Sequence, residues 1–467
     1  MFLLLGPHMA SAGKGIQNFV VILTDDQGFG DIGVNGLTKA KTRRIDAMAE
    51  EGIHFQNWYS ASSVCSPSRA AMLTGRYPKR AGVPSVLFPW STEGMNPDEL
   101  TIAELLKGSG YKTACVGKWH LGHHQHYLPT NQGFDFFFGI PFSNDMSIAA
   151  GLEFAEDCQF FEGMTREIAL ERAKQVQKNE SREYYQSVRD AVPLMRNEAV
   201  IEYPTDQRFL TRRITEESAR FIKENQDHPF FLLVSHPMPH TPLFVHPEFE
   251  GKSGSGLFWD IIEEIDWSVG EIIDTLTRLG IAEDTLIIFL SDNGPAYRSE
   301  FASPGPFRGK KFTSYEGGHR VPAVAWSPGN LKPRQLKEQM VSSMDLFKTF
   351  AHYADVPVPE DLILDGKNIA GLLEGDTDTS PYEVFYYYLA NSNQLAAIRG
   401  GDWKYIMVPD GVQRKAHPQL YDLQEDDREQ NDVIKDHPER VDQLWKRMNS
   451  FDSEISPSSN WAQERIV

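Results

Sequence analysis

Reactive side chains gather in four short segments of the chain, each directly after an apolar run. Asp25-Asp26 follow Phe19–Leu23, and Gly117-Lys118-Trp119-His120 follow Lys112–Val116. His236 and His240 follow Phe230–Val234, and Ser291-Asp292-Asn293-Gly294 follow Thr285–Leu290. Asp25, Asp26, Asp292 and Asn293 offer oxygen donors only, the ligand type of Ca²⁺ or Mg²⁺ rather than of zinc. Two adjacent carboxylates at a strand end repel unless a cation neutralises them. Either acidic segment alone is equally well read as a turn, where Asp, Asn and Gly belong on backbone grounds. Turn chemistry, however, does not require carboxylates from both segments to converge.

Cys65 lies in Cys65-Ser66-Pro67-Ser68-Arg69. Pro67 suits the first turn of a helix, which puts Cys65 at or just before its N-terminus. That position favours an anion and predicts a depressed thiol pKa. The residues leave two fates open, a buried inert thiol or a nucleophile paired with a histidine. Arg69, Lys118, His120, His240, and Lys310 or Lys311, form a cationic set able to line one pocket. Such a set suits a tetrahedral oxyanion whose charge must be held as a bond breaks. The histidines supply groups that titrate in the right range for acid or base work. Singly, each is also read as a surface lysine or a structural histidine. With the oxygen ligands, the set predicts metal-assisted cleavage of a sulfate or phosphate ester.

The elements that must position these groups follow from periodicity. Short apolar runs alternate with helical patterns, which predicts an α/β fold with a large, mostly parallel sheet flanked by helices. In such sheets ligands sit outside the carboxyl ends of the strands, where the four reactive segments fall. Val321–Trp326 adds a fifth strand, and Ile45, Met48, Ala49 and Ile53 recur at helical spacing. Thr101 with Glu104 makes a capping box, and Gly108 and Gly110 end that helix. The stretch Glu153–Gln226, rich in Glu, Arg, Lys and Gln, reads as surface helices without a strong strand signal. Beyond about Tyr353, Pro357 and Pro359 punctuate a linker-like stretch. Strand candidates Val384–Leu389, Ala396–Arg399 and Trp403–Met407 then precede a helix-like tail around Val441–Met448. This predicts a catalytic α/β domain over 16–355 and a smaller C-terminal α+β subdomain over 356–467, carrying an antiparallel sheet. Residues 1–15, with GPHMAS at Gly6–Ser11, read as a cloning-derived leader, and any native export signal as removed with it.

Composition narrows the function classes. Hydrophobic residues make up 40% and charged residues 24% of 467, the mix of a folded globular protein. No apolar run approaches the ~20 residues that span a bilayer. Against 65 acidic side chains stand 46 basic ones, a formal net charge of −19, which argues against a nucleic-acid partner. An anionic substrate must then be drawn in by a local cationic pocket. Three cysteines, Cys65, Cys115 and Cys158, exclude a disulfide scaffold.

Six ordered segments carry a family resemblance. CSPSRAAMLTG (Cys65–Gly75) and GYKTACVGKWHLG (Gly110–Gly122) resemble the two signatures of the type I, formylglycine-dependent sulfatases, in the arylsulfatase A and N-acetylgalactosamine-6-sulfatase branch of the alkaline phosphatase superfamily. DDQGFGDIG (Asp25–Gly33), HPMPHTP (His236–Pro242), SDNG (Ser291–Gly294) and RGKKFTSYEGGHRVP (Arg308–Pro322) occur in the family's order. WKYI (Trp403–Ile406) and LYDLQEDDREQND (Leu420–Asp432) are similar to its C-terminal subdomain. The resemblance implies that a formylglycine-generating enzyme oxidises Cys65 to formylglycine, whose hydrated aldehyde supplies the attacking oxygen. Asp25, Asp26, Asp292, Asn293 and the formylglycine at position 65 would bind one divalent cation, usually Ca²⁺, with Mg²⁺ the alternative. Arg69 and Lys118 would hold the hydrate, and Lys118 would also reach the sulfate. His120 would take a proton from the second hydroxyl, and His240 would protonate the leaving alcohol. Lys311 would bind sulfate.

The expected activity is sulfuric ester hydrolysis on a sulfated carbohydrate such as a glycosaminoglycan, a mucin-type or an algal glycan. A phosphate or phosphonate ester hydrolase and a catalytically silent glycan-binding protein are the competing readings. The family habit implies a periplasmic, secreted or lysosomal location. His319 stands where the family more often has an aliphatic residue or threonine. His123, His124 and His126 fall in a stretch the family varies; these histidines either touch the sugar or cover the sheet.

Overall fold

The computed structural model describes residues 15–408 and 417–455. The expected leader, apart from its last residue, and residues 409–416 and 456–467 of the expected C-terminal subdomain lie outside the described residues.

Eleven strands form one mixed sheet. At its centre run five parallel strands, in the spatial order Thr285–Ser291, Asn18–Thr24, Phe230–Ser235, Lys112–Lys118 and Phe136–Ile140. Each is an apolar run because both faces of the sheet are covered. Phe19, Val21 and Leu23 enter one core, while Val20 and Ile22 enter the other. The first core is closed by Ala70 and Leu73 of the helix Cys65–Thr74, Leu106 of Ile102–Gly108, and Phe347 and Phe350 of Asp345–Tyr353. The second is closed by Ile45 of Arg43–Glu51, Ile214 of Leu210–Glu224 and Ile265 of Leu257–Leu279. Full burial of each such side chain stabilises the fold by about 1.5–3 kcal/mol. The predicted capping box is present: Thr101 Oγ1 accepts from the Glu104 amide at 3.1 Å, and the Glu104 carboxylate accepts from the Thr101 amide at 2.8 Å.

Both edges of the sheet depart from the parallel centre. Ala323–Trp326, within the expected fifth strand, runs antiparallel to Thr285–Ser291. The segment expected to hold only surface helices supplies three strands, Glu153–Phe160, Leu194–Arg196 and Ala199–Tyr203, as well as helices Arg166–Lys178, Arg182–Val188 and Leu210–Glu224. The weak strand signal has a physical reason. Glu153–Phe160 is the outermost strand, no residue of it is fully buried, and charge on an edge is what keeps such a strand from pairing further. Ile53, expected on the first helix, instead opens the strand Ile53–Phe55 after that helix ends at Glu51.

A separate four-stranded antiparallel sheet comprises Val384–Tyr388, Leu395–Gly400, Trp403–Ile406 and Gln419–Asp422. The helix Pro438–Glu454 packs on it through Leu444 and Met448. The same core takes in Tyr59, Ala71 and Tyr77, so the small sheet is joined to the helix that begins at Cys65.

Candidate active site

Strand register brings the reactive segments to one edge of the sheet. Thr24 lies opposite Ser291, and Leu23 and Gly117 both lie opposite Ser235. Asp25, Asp292, His236 and Lys118 therefore emerge at the same level. Gly117 permits this spacing: with φ at 121°, a Cβ there would meet the Ser235 carbonyl oxygen at 1.9 Å. Asp26 and His120 both sit in the left-handed region at φ 62°, an unfavourable backbone that persists where the surroundings demand a particular side-chain direction.

The acidic groups and the cations interlock. Asp25 accepts from Lys118 Nζ, which also donates to Ser143 Oγ at 3.1 Å. Arg69 places Nε and Nη2 each 2.9 Å from Asp292 Oδ2, and its Nη1 donates to the Lys118 carbonyl at 3.0 Å and to Ser235 Oγ at 2.6 Å. Lys311 Nζ lies 2.7 Å from Asp26 Oδ1 and 3.0 Å from Cys65 Sγ. Asn293 Nδ2 donates to Asp26 Oδ1 at 2.6 Å. His240 Nε2 is 3.6 Å from Asp26 Oδ2. Three carboxylates thus face three permanent cations.

Burial and paired charge compete in the titration of this cluster. Burial raises the Asp25 carboxyl, but Lys118, His240, Arg69 and Lys311 outweigh it and hold Asp25 well below its usual value. Asp292 is pushed up to about 7, by burial first and by Asp25 next, against Arg69 and Lys118. Cys65 is the first residue of its helix, as expected, yet its thiol is not depressed. Burial, helped by Asp25, pushes it well above its usual value, and a helix end does not offset complete removal from water.

Two buried oxygens in the cluster, Asp25 Oδ1 and Asn293 Oδ1, have no hydrogen-bond partner among the described residues. Ligating atoms of Asp25, Cys65 and Asp292 lie within 4.8 Å of one another, as do those of Asp26, Cys65 and His240. Buried polar atoms are normally satisfied, and unpartnered hard oxygens beside a carboxylate of raised pKa fit a hard divalent cation.

The histidines divide. His120 Nε2 faces the Leu87 carbonyl at 2.9 Å, and its Nδ1 is buried without a partner among the described residues. Burial, with Lys118 and Arg69 beside it, holds His120 well below its usual pKa. His240 Nδ1 faces two oxygen acceptors, Asn144 Oδ1 at 2.9 Å and the Thr241 carbonyl at 2.6 Å. His236 turns away to Ser268 Oγ at 3.0 Å and is pulled down to about 4 by burial. His319 is also elsewhere, buried with its ring against Tyr387 and its Nδ1 3.1 Å from the Ser60 carbonyl. His123 is buried against Phe142. Of the two adjacent lysines, Lys311 enters the cluster, whereas Lys310 Nζ ties down a loop through the Ser299 and Ala302 carbonyls. Ser143 and Asn144, which hold Lys118 and His240, are not anticipated by the sequence reading. Their signal is the apolar run Phe136–Ile140, a further parallel strand whose carboxyl end they follow.

Residues 17–356 match the Sulfatase family, and residues 307–454 match the C-terminal region of N-sulphoglucosamine sulphohydrolase. The chain belongs to the sulfatase family. It is a sulfuric ester hydrolase of the alkaline phosphatase superfamily. Steryl-sulfatase of Rattus norvegicus is 36% identical to this sulfatase over 430 residues, covering 81% of this chain and 74% of that protein. N-acetylgalactosamine-6-sulfatase of Mus musculus is 36% identical over 419 residues, covering 85% and 73%. The crystal structure of Ps i-CgsB in complex with k-i-k-neocarrahexaose superposes with a TM-score of 0.79 at 27% identity, covering 95% of this chain and 94% of that one. Among the described residues no helix is long and apolar enough to cross a membrane.

Proposed function

We propose that this sulfatase hydrolyses sulfate esters of carbohydrates, using formylglycine made from Cys65 and one divalent cation, Ca²⁺ in the first instance. The observation that carries this reading is the convergence on Cys65 of Lys311 and of an acidic cluster with two unpartnered buried oxygens. A carbohydrate substrate is supported by the N-acetylgalactosamine-6-sulfatase relative and the oligosaccharide-bound structural neighbour. Conversion of Cys65 requires a formylglycine-generating enzyme, and we infer an exported enzyme, periplasmic, secreted or lysosomal.

Asp25, Asp26, Asp292, Asn293 and the converted side chain at position 65 would hold the cation. When bound, it offsets carboxylate charge and polarises sulfate oxygens. A formylglycine hydrate at position 65 would offer one hydroxyl as nucleophile and a second whose proton, once removed, would let the aldehyde reform and sulfate leave without water attacking sulfur. Every remaining task falls to the chain's own side chains. Arg69 and Lys118 orient position 65 and the carboxylates beside it. Lys311 and Lys118 bring positive charge to the sulfate, which answers the global charge of −19 with a local surplus once a dication is added. His120 donates through Nε2 to the Leu87 carbonyl, which leaves Nδ1 as a neutral acceptor able to take a proton. His240 donates through Nδ1 to Asn144 and Thr241, so Nε2 points to the Asp26 side, and as the imidazolium the ring would deliver its Nε2 proton to the departing alcohol and be left neutral.

The test is mass spectrometry of the Cys65 peptide from a host with the modifying enzyme, paired with sulfate release from aryl and glycan sulfates. The expected peptide has lost sulfur and two hydrogens and gained one oxygen, and it reacts with a hydrazine. An intact thiol with no turnover of any ester would overturn the reading in favour of a binding protein.

A further inference from the structure

A cleft of about 920 Å³, lined by Gln207, Asp190 and their neighbours, is joined to His240 of the candidate site through one intervening residue, Asn144. Asn144, buried and outside the cleft's own lining, makes that link. Its side chain holds His240 Nδ1 and donates to the Pro242 carbonyl at 2.9 Å, while its own carbonyl accepts from Gln207 Nε2, a cleft residue, at 2.9 Å. Gln207 also donates to the Asp190 carbonyl at 2.8 Å, within the same lining. Because His240 would serve the leaving alcohol, a glycan that continues from that alcohol past Asn144 reaches this cleft.

The cleft contains four guanidiniums, and each has a counter-charge. Arg189 lies 3.0 Å from Asp145 and 3.2 Å from Asp190. Arg208 lies 2.6 Å from Asp206, Arg213 lies 2.8 Å from Glu202, and Arg212 pairs with Glu248. Glu162 and Glu216 also line the space, so its carboxylates outnumber its guanidiniums. Exposed Phe161 and Phe209 flank these pairs. An arginine–carboxylate pair offers donors and acceptors side by side, the complement of neighbouring sugar hydroxyls, and an aromatic face suits the C–H face of a pyranose ring. A second sulfate would find each guanidinium already neutralised and carboxylates alongside, a like-charge contact that interfaces use to reject wrong partners.

We propose that this cleft binds the uncharged, hydroxyl-rich sugar unit joined to the sulfated one, so that the enzyme desulfates sparsely sulfated glycans and rejects chains whose neighbouring unit carries sulfate or carboxylate. The proposal rests on the carbohydrate-sulfatase reading above and specifies its substrate class.

The experiment uses full-length protein with converted Cys65 and paired trisaccharides built on galactose, N-acetylgalactosamine, N-acetylglucosamine and fucose. One member of each pair has a single sulfate on its terminal unit, and the other has a further sulfate on the neighbouring unit. For accepted sugars, kcat/KM should be at least about tenfold higher for the singly sulfated member, the change that ~1.4 kcal/mol of discrimination produces. Equal values, or preference for the doubly sulfated member, overturn the proposal while leaving the sulfatase reading intact. Phe209→Ala, an exposed change, should raise KM for the accepted trisaccharide about fivefold more than it alters KM for 4-nitrophenyl sulfate. An identical effect on both esters counts against the cleft. Asp206→Asn frees Arg208 and should narrow the preference by raising kcat/KM for the doubly sulfated member, a gain that mere structural damage would not produce. No sulfate release from any ester, aryl sulfate included, defeats the sulfatase reading itself and this proposal with it.

Discussion

The buried charge cluster around Cys65 and the one around Glu316, between the large sheet and the small one, are built to opposite rules. Lys404 Nζ sits 2.8 Å from Glu316 Oε1 and 2.8 Å from Glu429 Oε1. Tyr387 donates to Glu316 at 3.2 Å, Tyr59 also donates to it, and Arg320 and Arg399 stand 3.6 and 3.7 Å away. Glu429 Oε2 accepts the Glu316 amide at 2.7 Å. The Glu316 carboxylate is thus met on both oxygens, and burial is outweighed by Lys404, Arg399 and Arg320, which hold it well below its usual value. The Cys65 cluster has a similar density of charge but leaves Asp25 Oδ1, Asn293 Oδ1 and His120 Nδ1 without a hydrogen bond among the described residues, whereas Glu429 Oε1, which also lacks a well-formed hydrogen bond, faces the Lys404 ammonium at 2.8 Å. A satisfied network joins parts of a fold; an unsatisfied one reserves its free atoms for something that arrives.

That contrast can be broken in order of effect. Cys65→Ala should abolish sulfate release while circular dichroism and Tm stay near those of the parent, because the side chain is small. Activity at parental levels would remove Cys65 from the mechanism. Next, Ca²⁺ at about one hundred times its Kd should stabilise the protein by about 2.7 kcal/mol, and chelation should reverse both Tm and turnover. Asp292→Ala should erase that calcium-dependent rise; a rise that persists excludes Asp292 as a ligand. At the other cluster, Lys404→Met leaves two carboxylates buried without their shared ammonium, an expected loss of about 3–5 kcal/mol. Denaturant melts measure it, and the calcium response of the folded fraction should remain.

A pH series sharpens the comparison further. Glu429 is raised to about 7, by burial first and by Glu316 next, against Lys404. A carboxyl raised in the folded state contributes stability that is full below its unfolded pKa and lost as pH rises through the folded value. Glu429→Gln should therefore flatten the fall in Tm between about pH 4.5 and 7. An unchanged slope would assign that fall to another group. The smallest expected effect is that of Tyr387→Phe, which removes one hydrogen bond to Glu316 and should cost about 0.5–1.5 kcal/mol without altering turnover.

Much of the candidate site is legible in the sequence because strands buried on both faces are plain apolar runs, and the residues just past their carboxyl ends are easily picked out. Asp25, Lys118 and Asp292 are found that way. Ser143 and Asn144 are not, since they follow the apolar run Phe136–Ile140 only after Pro141 and Phe142, and neither residue type by itself marks a catalytic or ligating group. Edge strand Glu153–Phe160 escapes for the opposite reason: a half-solvated edge carries charge where a central strand carries apolar residues. Lys310 and Lys311 are adjacent and chemically identical, and only their surroundings separate a loop tie from a pocket cation.

The sequence by itself determined four of the five central parallel strands, the capping box at Thr101 and the kinds of atoms gathered at the strand ends. These depend on local periodicity and on side-chain chemistry, both of which are written residue by residue. Tertiary structure alone decided that the Cys65 thiol is raised rather than lowered and that His319 and His236 face away from the site. It also decided that Glu316, Lys404 and Glu429 form a second buried charge cluster. Burial and distance set those outcomes. Charges 2.8 Å apart in the fold can be 88 residues apart in the chain, and a Coulomb interaction depends only on the first of these separations and on the water excluded between them.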